Sequence, residues 1–242
     1  MTAPLKGFML ALGFLSVFPV GRAEPANEGG GGTPFFPLVG ALLGAVIALA
    51  FFLPLAPIPR AAVMVFLSVA VTGGLHEDGW ADVADAVFPE VDREWRLRIL
   101  KDPRVGAHGV TATVLLLLAR FAAYTAVSPV AVIAAGMFAR WTMVLSLRCA
   151  PPLFAKGLAA RLSRGTRPWA ASLVGLVVLG ILYGVGGDPR ILASPLFAAG
   201  VVWLGGWLLV RRFGGLNGDG HGALGLLAEL GFLYAFLLLG DA

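Results

Sequence analysis

Asp78, Asp82 and Asp85 stand at i, i+4 and i+7 in the stretch "LHEDGWADVADAVF", residues 75–88. At about 100° per residue, a helix over 76–88 places all three carboxylates on one face. Like charges in a row repel, and no lysine or arginine lies within that segment to offset them. A divalent cation satisfies such a face. Carboxylate oxygens are the hard ligands that Mg²⁺ and Mn²⁺ prefer, and Mg²⁺ takes one or two of them and completes its shell with water and substrate phosphate. The expected metal ligands are therefore Asp78, Asp82 and Asp85. The competing reading is a solvated acidic helix end, or pairing with the arginines of 93–104. His76, beside Asp78 at the helix start, is a candidate general base and equally a structural hydrogen-bonding group.

Two further stretches carry groups suited to phosphate. In "RLRILKDPRVGAHG", residues 96–109, basic and apolar positions alternate as in a short interfacial helix that Pro103 stops, and Gly106 and Gly109 let backbone approach a ligand. Lys101, Arg104 and His108 are candidates for phosphate oxygens, Arg as a planar fork and Lys as a point charge. A basic helix meeting lipid headgroups is the alternative. In "GGLNGDGHGALGLLAE", residues 214–229, Asp219 and His221 sit in a glycine-rich turn opening the last helix, where free N–H groups and the helix start favour an anion. This makes Asp219 a phosphate-site candidate, against the plainer role of helix cap. Glu229 lies about two turns inside the same apolar helix, where an ionisable group is expensive and a functional candidate by default.

The elements that must position these groups are membrane helices. The 242 residues are 58% hydrophobic and only 13% charged, which points to a polytopic, all-α membrane bundle rather than a soluble protein. Apolar segments near 36–56, 61–75, 105–127, 129–147, 169–186, 191–210 and 221–239 approach the roughly 20 residues that cross a bilayer. Six to eight helices follow, in one domain over 1–242 without polar linker or fixed-period repeat. Residues 5–20 read as an uncleaved first helix, short enough to lie partly in the interface. Polar loops at 20–34, 76–104, 148–168 and 211–220 fall on one side and hold most of the arginines, Arg22 included. The positive-inside rule makes that side cytoplasmic. The same loops and helix ends hold the candidate site, so it faces the cytoplasm.

Topology also accounts for the net charge of +4, and no basic stripe suggests nucleic acid. Arg120 and Arg140 lie within apolar segments. Snorkelling is the expectation for Arg120, and neutralisation of a buried carboxylate for the deeper Arg140. Cys149, the single cysteine, reads as a small buried hydrophobe. "EGGGGTP", residues 28–34, reads as a flexible linker, since no lysine follows it as a P-loop requires.

"GGLHEDGWADVADAVF", "RILKDPRVGAHG" and "GGLNGDGHGA", with "FFPLVGALLGA" near the start, together resemble the cobalamin synthase family, whose activity is adenosylcobinamide-GDP ribazoletransferase. The likeness runs in order from about residue 36 to residue 229. Its most specific part is a GG-x-H-x-DG-x-AD-x-x-D pattern, met by Gly73, Gly74, His76, Asp78, Gly79, Ala81, Asp82 and Asp85. Departures are Glu77, commonly apolar in the family, Ala86, commonly glycine, and Leu226, where the family often has glutamate.

The resemblance implies a multi-pass enzyme of the cell inner membrane. Its substrates would be adenosylcobinamide-GDP and α-ribazole or its 5′-phosphate, its products GMP and adenosylcobalamin or its phosphate. Mg²⁺, or Mn²⁺, on Asp78, Asp82 and Asp85 would bridge the pyrophosphate. Lys101 and Arg104 would hold the departing phosphate, and His76 or an aspartate would take the hydroxyl proton. The oligomeric state stays open, a homo-oligomer included. Two rivals remain: a CDP-alcohol-type phosphotransferase, whose DG-x-x-AR pattern is not met by "DGWADVAD", and a cation transporter, for which no inverted repeat is visible.

Overall fold

The computed structural model describes residues 2–20 and 31–240. Arg22, most of the loop 20–34 and Glu28–Gly30 of the expected linker lie outside the described residues. Eleven α-helices are found among the described residues: α1 (Ala3–Leu15), α2 (Phe36–Ala48), α3 (Pro57–Ala70), α4 (Leu75–Val87), α5 (Arg93–Ile99), α6 (Ala107–Tyr124), α7 (Pro129–Cys149), α8 (Leu158–Gly165), α9 (Pro168–Gly186), α10 (Arg190–Phe213) and α11 (Gly218–Leu238). Short 3-10 turns extend α2 at both ends to a 20-residue apolar unit, Thr33–Phe52.

Six of these are long and apolar enough to cross a membrane: the α2 unit, α6, α7, α9, α10 and α11. Their outer faces show large apolar side chains, among them Phe52, Leu176, Val185, Leu196 and Trp203, as lipid contact demands. The chain is a multi-pass helical membrane protein. α3 and α4 reach spanning length only as a pair broken by an 85° bend. Gly73 and Gly74 make that bend, at φ +65° and +72°, a left-handed conformation that a Cβ disfavours. α4 itself, with its four carboxylates and one histidine, is not among the six spans.

Small residues allow the closest helix pairing, because without a hydrophobic drive between helices in lipid it is close backbone approach that adds attraction. Gly40 and Gly44 of α2 meet α7 at Gly136 and Ile133. A Cβ on Gly44 would sit 2.8 Å from Ile133 Cα, and one on Gly136 would sit 2.7 Å from Gly40 O. α11 packs against α7, α10 and α4, and α4 against α6. One core runs between α7 and α11 through Met137, Phe138, Phe232 and Phe236, and a second joins α4, α10 and α11 through Val83, Val87, Leu209 and Leu224.

The polar loops gather at one end. The Arg93 guanidinium donates to the Phe213 carbonyl at 2.6 Å, the Leu153 N–H donates to the Leu216 carbonyl and the Leu216 N–H to the Pro151 carbonyl, and the Gly106 N–H reaches back to Asp85. The spans alternate so that the ends near 107, 149, 168, 213 and 218 all meet there.

Three expectations need correction. α5 spans Arg93–Ile99, so the interfacial helix starts before 96 and stops short of Pro103, whose ring disfavours helical backbone in the residue before it. Cys149 is exposed, because it closes α7 beyond the last inward-facing turn of Ser146 and Leu147. Gly32, at the end of the expected linker, is packed on α1, where a Cβ would lie 3.2 Å from the Ala11 nitrogen.

Candidate active site

α4 carries most of the site and is held at both ends. At its C-terminus, the buried Arg96 guanidinium caps the free carbonyls: Nη1 donates to Ala86 O and to Val87 O (2.8 Å), and Nη2 to Pro89 O (3.0 Å) and Val91 O (3.1 Å). A cation there also complements the helix dipole. Along its length Gly79 lies against α11. A Cβ at Gly79 would meet Asp219 Cα at 2.8 Å, so only glycine lets the two helices approach this closely.

That approach decides which carboxylates meet. Asp78 is exposed, Asp82 half-buried and Asp85 buried. Burial, then the charges of Asp78, Asp219 and Asp85, push the Asp82 carboxyl up to about 6 from an ordinary 3.8. Every charged neighbour that raises the Asp82 carboxyl is thus another aspartate, two on its own helix and Asp219 on α11. Asp85 faces elsewhere: its Oδ2 accepts the Gly106 N–H at 2.6 Å and its Oδ1 the Gly109 N–H at 2.8 Å. It therefore caps α6 from a neighbouring helix, satisfying donors that a helix start leaves free. Gly106 and Gly109 serve this contact, since a Cβ at either would run into the Asp85 carboxylate.

Asp219 is not the cap of α11. Asn217 is, its Oδ1 accepting the Gly220 N–H at 3.0 Å while its Nδ2 donates to Asp219 Oδ2 at 2.6 Å. The Asp219 carboxylate is thereby oriented rather than consumed by the helix start. His76 is buried under α11 with its ring 3.3 Å from where a Gly222 Cβ would be, and neither ring nitrogen has a hydrogen-bond partner. His221 points into the bundle, its Nδ1 2.8 Å from Ser146 Oγ.

The basic candidates lie in the loop between α5 and α6. Arg104 forks onto Asp102, Nε to Oδ1 at 2.9 Å and Nη2 to Oδ2 at 2.7 Å, and that pairing holds the Asp102 carboxyl down at about 2. The Lys101 ammonium lies 4.6 Å over the Phe154 ring. Both side chains are exposed at the end where the loops gather. His108 lies against Phe88, ring centroids 5.8 Å apart and tilted by 37°, and lines an apolar cavity with Trp80, apart from the aspartates.

Next to Asp78 in sequence, Glu77 turns the other way, into the bundle. Its Oε1 meets Arg120 Nη1 at 2.7 Å, and Arg120 Nε lies 3.0 Å from Glu229 Oε1. Arg140 Nη1 stands 3.5 Å from Glu229 Oε2, and the Tyr124 hydroxyl donates to Glu229 at 3.2 Å. Arg120 is only 2% exposed, so it does not snorkel, and it shares with Arg140 the neutralising role expected of the latter. Two acids and two arginines balance, which keeps the group affordable inside lipid. Glu229 is absorbed by this network. Sequence reading missed Arg96 and Asn217; the signal for Asn217 was its place just before the helix-opening glycines.

A cleft of about 740 Å³ opens beside this region, bounded by the end of α1, the α3–α4 bend, α4 and α6, with Asp78 in its wall. The family model of cobalamin-5-phosphate synthase matches residues 7–237. The chain belongs to that family. Among relatives, the adenosylcobinamide-GDP ribazoletransferase of Desulforamulus reducens is 34% identical over 95% of both chains. That of Pseudomonas putida is 37% identical over 96% of this chain and 98% of its own, and that of Nitratidesulfovibrio vulgaris 35% identical over 98% and 97%. No solved structure matches the chain.

In family terms the departures now have places. Glu77 is the partner of Arg120, Ala86 offers its carbonyl to Arg96, and Leu226 is buried within α11 while Glu229, one turn on, carries the charge.

Proposed function

We propose that this chain transfers the adenosylcobinamide-phosphate group of adenosylcobinamide-GDP to α-ribazole or its 5′-phosphate, releasing GMP and forming adenosylcobalamin or its phosphate. The end-to-end likeness to ribazoletransferases supports the substrates. The observation that carries the chemistry is Asp82, crowded by Asp78 and Asp219 with no cation to answer them. In the reaction a ribose hydroxyl oxygen bonds to the cobinamide-side phosphorus, the bridging P–O bond of the pyrophosphate breaks, and GMP leaves. Such a displacement needs in-line placement and charge neutralisation more than covalent help.

The residues fit Mg²⁺ or Mn²⁺. All the donors are hard carboxylate oxygens, and the Asp82 carboxyl is raised first by burial and then by the neighbouring aspartates, whose repulsion a cation would relieve. Among the described residues no group of three acidic, imidazole or thiol side chains is arranged to hold a metal ion by itself, so an ion here would draw the rest of its shell from substrate phosphate and water. Asp82 and Asp219 would hold the ion, with Asp78 near. When bound, it supplies neutralisation of the pyrophosphate oxygens. Asp85 acts by fixing the start of α6 and with it the loop of Lys101 and Arg104. Those two side chains receive the departing phosphate, Arg104 exchanging its Asp102 partner for it. Asp78, the most exposed of the acids, accepts the hydroxyl proton. His76, buried and remote from solvent, acts in setting α4 against α11.

The basic loops share one end with this site, which favours a cytoplasmic orientation in the inner membrane. The test is GMP release by purified, detergent-solubilised protein given both substrates, with and without Mg²⁺. Metal-dependent GMP release matched by corrinoid product is expected. A folded protein that releases none would overturn the reading.

A further inference from the structure

We infer that the cleft between the end of α1, the α3–α4 bend and α6 is the seat of the acceptor nucleoside, with its base against α6 and its ribose at Asp78. The inference rests on the reaction proposed above and assigns one of its two substrates to a place.

Three observations carry it. The first is size: the open cleft of about 740 Å³ falls within the range of small-molecule sites. The second is the division of the wall. Phe14, Val110 and Val114, from α1 and α6, are apolar, while α4 contributes Asp78 together with Leu75. α-Ribazole has the same division, a flat methylated bicyclic base joined to a hydroxyl-bearing ribose.

The third is a polar group left over. Thr113 Oγ1 belongs to a residue lining this cleft, is buried, and has no hydrogen-bond partner. A ribose hydroxyl can pair with it. Asp78 is the hinge of the argument, because it is at once a wall of the cleft and a charged neighbour of Asp82. A nucleoside seated here brings its hydroxyl to the acidic face. The apolar cavity on the other side of α4, lined by Trp80, Phe88 and His108, has no carboxylate in its wall.

The test fills the cleft from its lipid-side wall. Val114 is 49% exposed on α6, so Val114→Trp adds bulk without disturbing the core. Leu75→Trp, at 50% exposure on the opposite wall, serves if the first variant fails to fold. With each substrate varied against saturating partner, the KM for α-ribazole is expected to rise at least about tenfold while that for adenosylcobinamide-GDP stays within about twofold. An unchanged α-ribazole KM would mean that the cleft holds lipid and would overturn the inference. An equal or larger rise in the corrinoid KM would overturn it too, by assigning the cleft to the other substrate. Wild-type protein is assayed beside them: if it releases no GMP, the reaction itself is misread, whereas a wild-type enzyme with an indifferent Val114→Trp variant refutes the cleft alone.

Discussion

Glu77 and Asp78 are neighbours on one helix, yet they belong to opposite kinds of charge cluster. Glu77 joins Arg120, Arg140 and Glu229 in a buried group of two acids and two bases. Asp78 joins Asp82 and Asp219 in a group of acids alone, open to the cleft and to the loop end. The first is complete in the folded chain and locks α4, α6, α7 and α11 together. The second is unbalanced, with no opposite charge of the chain set among its carboxylates. Clustered charge in a membrane protein thus marks function where the signs fail to cancel, and architecture where they do.

Breaking the balanced cluster should have the largest effect. Arg120→Ala strands two buried carboxylates, and a loss of about 3–5 kcal/mol is expected, seen as collapse of the detergent-solubilised melting transition or as aggregation on size exclusion. Adding Glu77→Leu to Arg120→Leu leaves Glu229 and Arg140 as a neutral pair, so the double variant should recover part of that stability. The unbalanced cluster should behave in the contrary way. Asp82→Asn is expected to lower GMP release about 10²–10³-fold with melting temperature held or raised. A parallel fall in stability would place Asp82 with the structural group.

Smaller effects sharpen the boundary between the two. Gly109→Ala drives a Cβ into the Asp85 carboxylate and should cost about 1–3 kcal/mol, lowering thermal stability and turnover together. Asn217→Ala removes the α11 cap for about 1 kcal/mol, while Asp219→Ala should spare stability and abolish turnover. The smallest effect concerns pH in a chelator. The Asp82 carboxyl is raised from 3.8 to about 6, so between those values the folded state binds more protons than the unfolded one. Metal-free protein should therefore gain stability as pH falls through about 6 and lose it as pH rises. Because Asp82 is half-exposed the gain is modest, and melting curves of Asp82→Asn should show it flattened.

Much of this was legible in the chain. Spans were visible because the bilayer forces about 20 apolar residues per crossing, and the helix over 76–88 appeared at 75–87 because its carboxylates repeat with helical period. The positions around Asp82 were marked by the same period. Arg120 was misread as a snorkelling side chain because sequence shows its depth but not its partners. Asp85 looked equivalent to Asp78 and Asp82, since spacing on a face says nothing of what the next helix places opposite it.

Sequence by itself settled the class of protein, the helical segments, the end of the bundle that gathers polar groups and the family resemblance, because each depends on composition or on order along the chain. Tertiary structure alone decided which carboxylates stand near one another. Gly79 admits α11 closely enough to bring Asp219, from 140 residues further along, against α4, while the free N–H groups of Gly106 and Gly109 take Asp85 for themselves. Contacts of that kind depend on backbone approach between helices distant in the chain, and no local pattern encodes them.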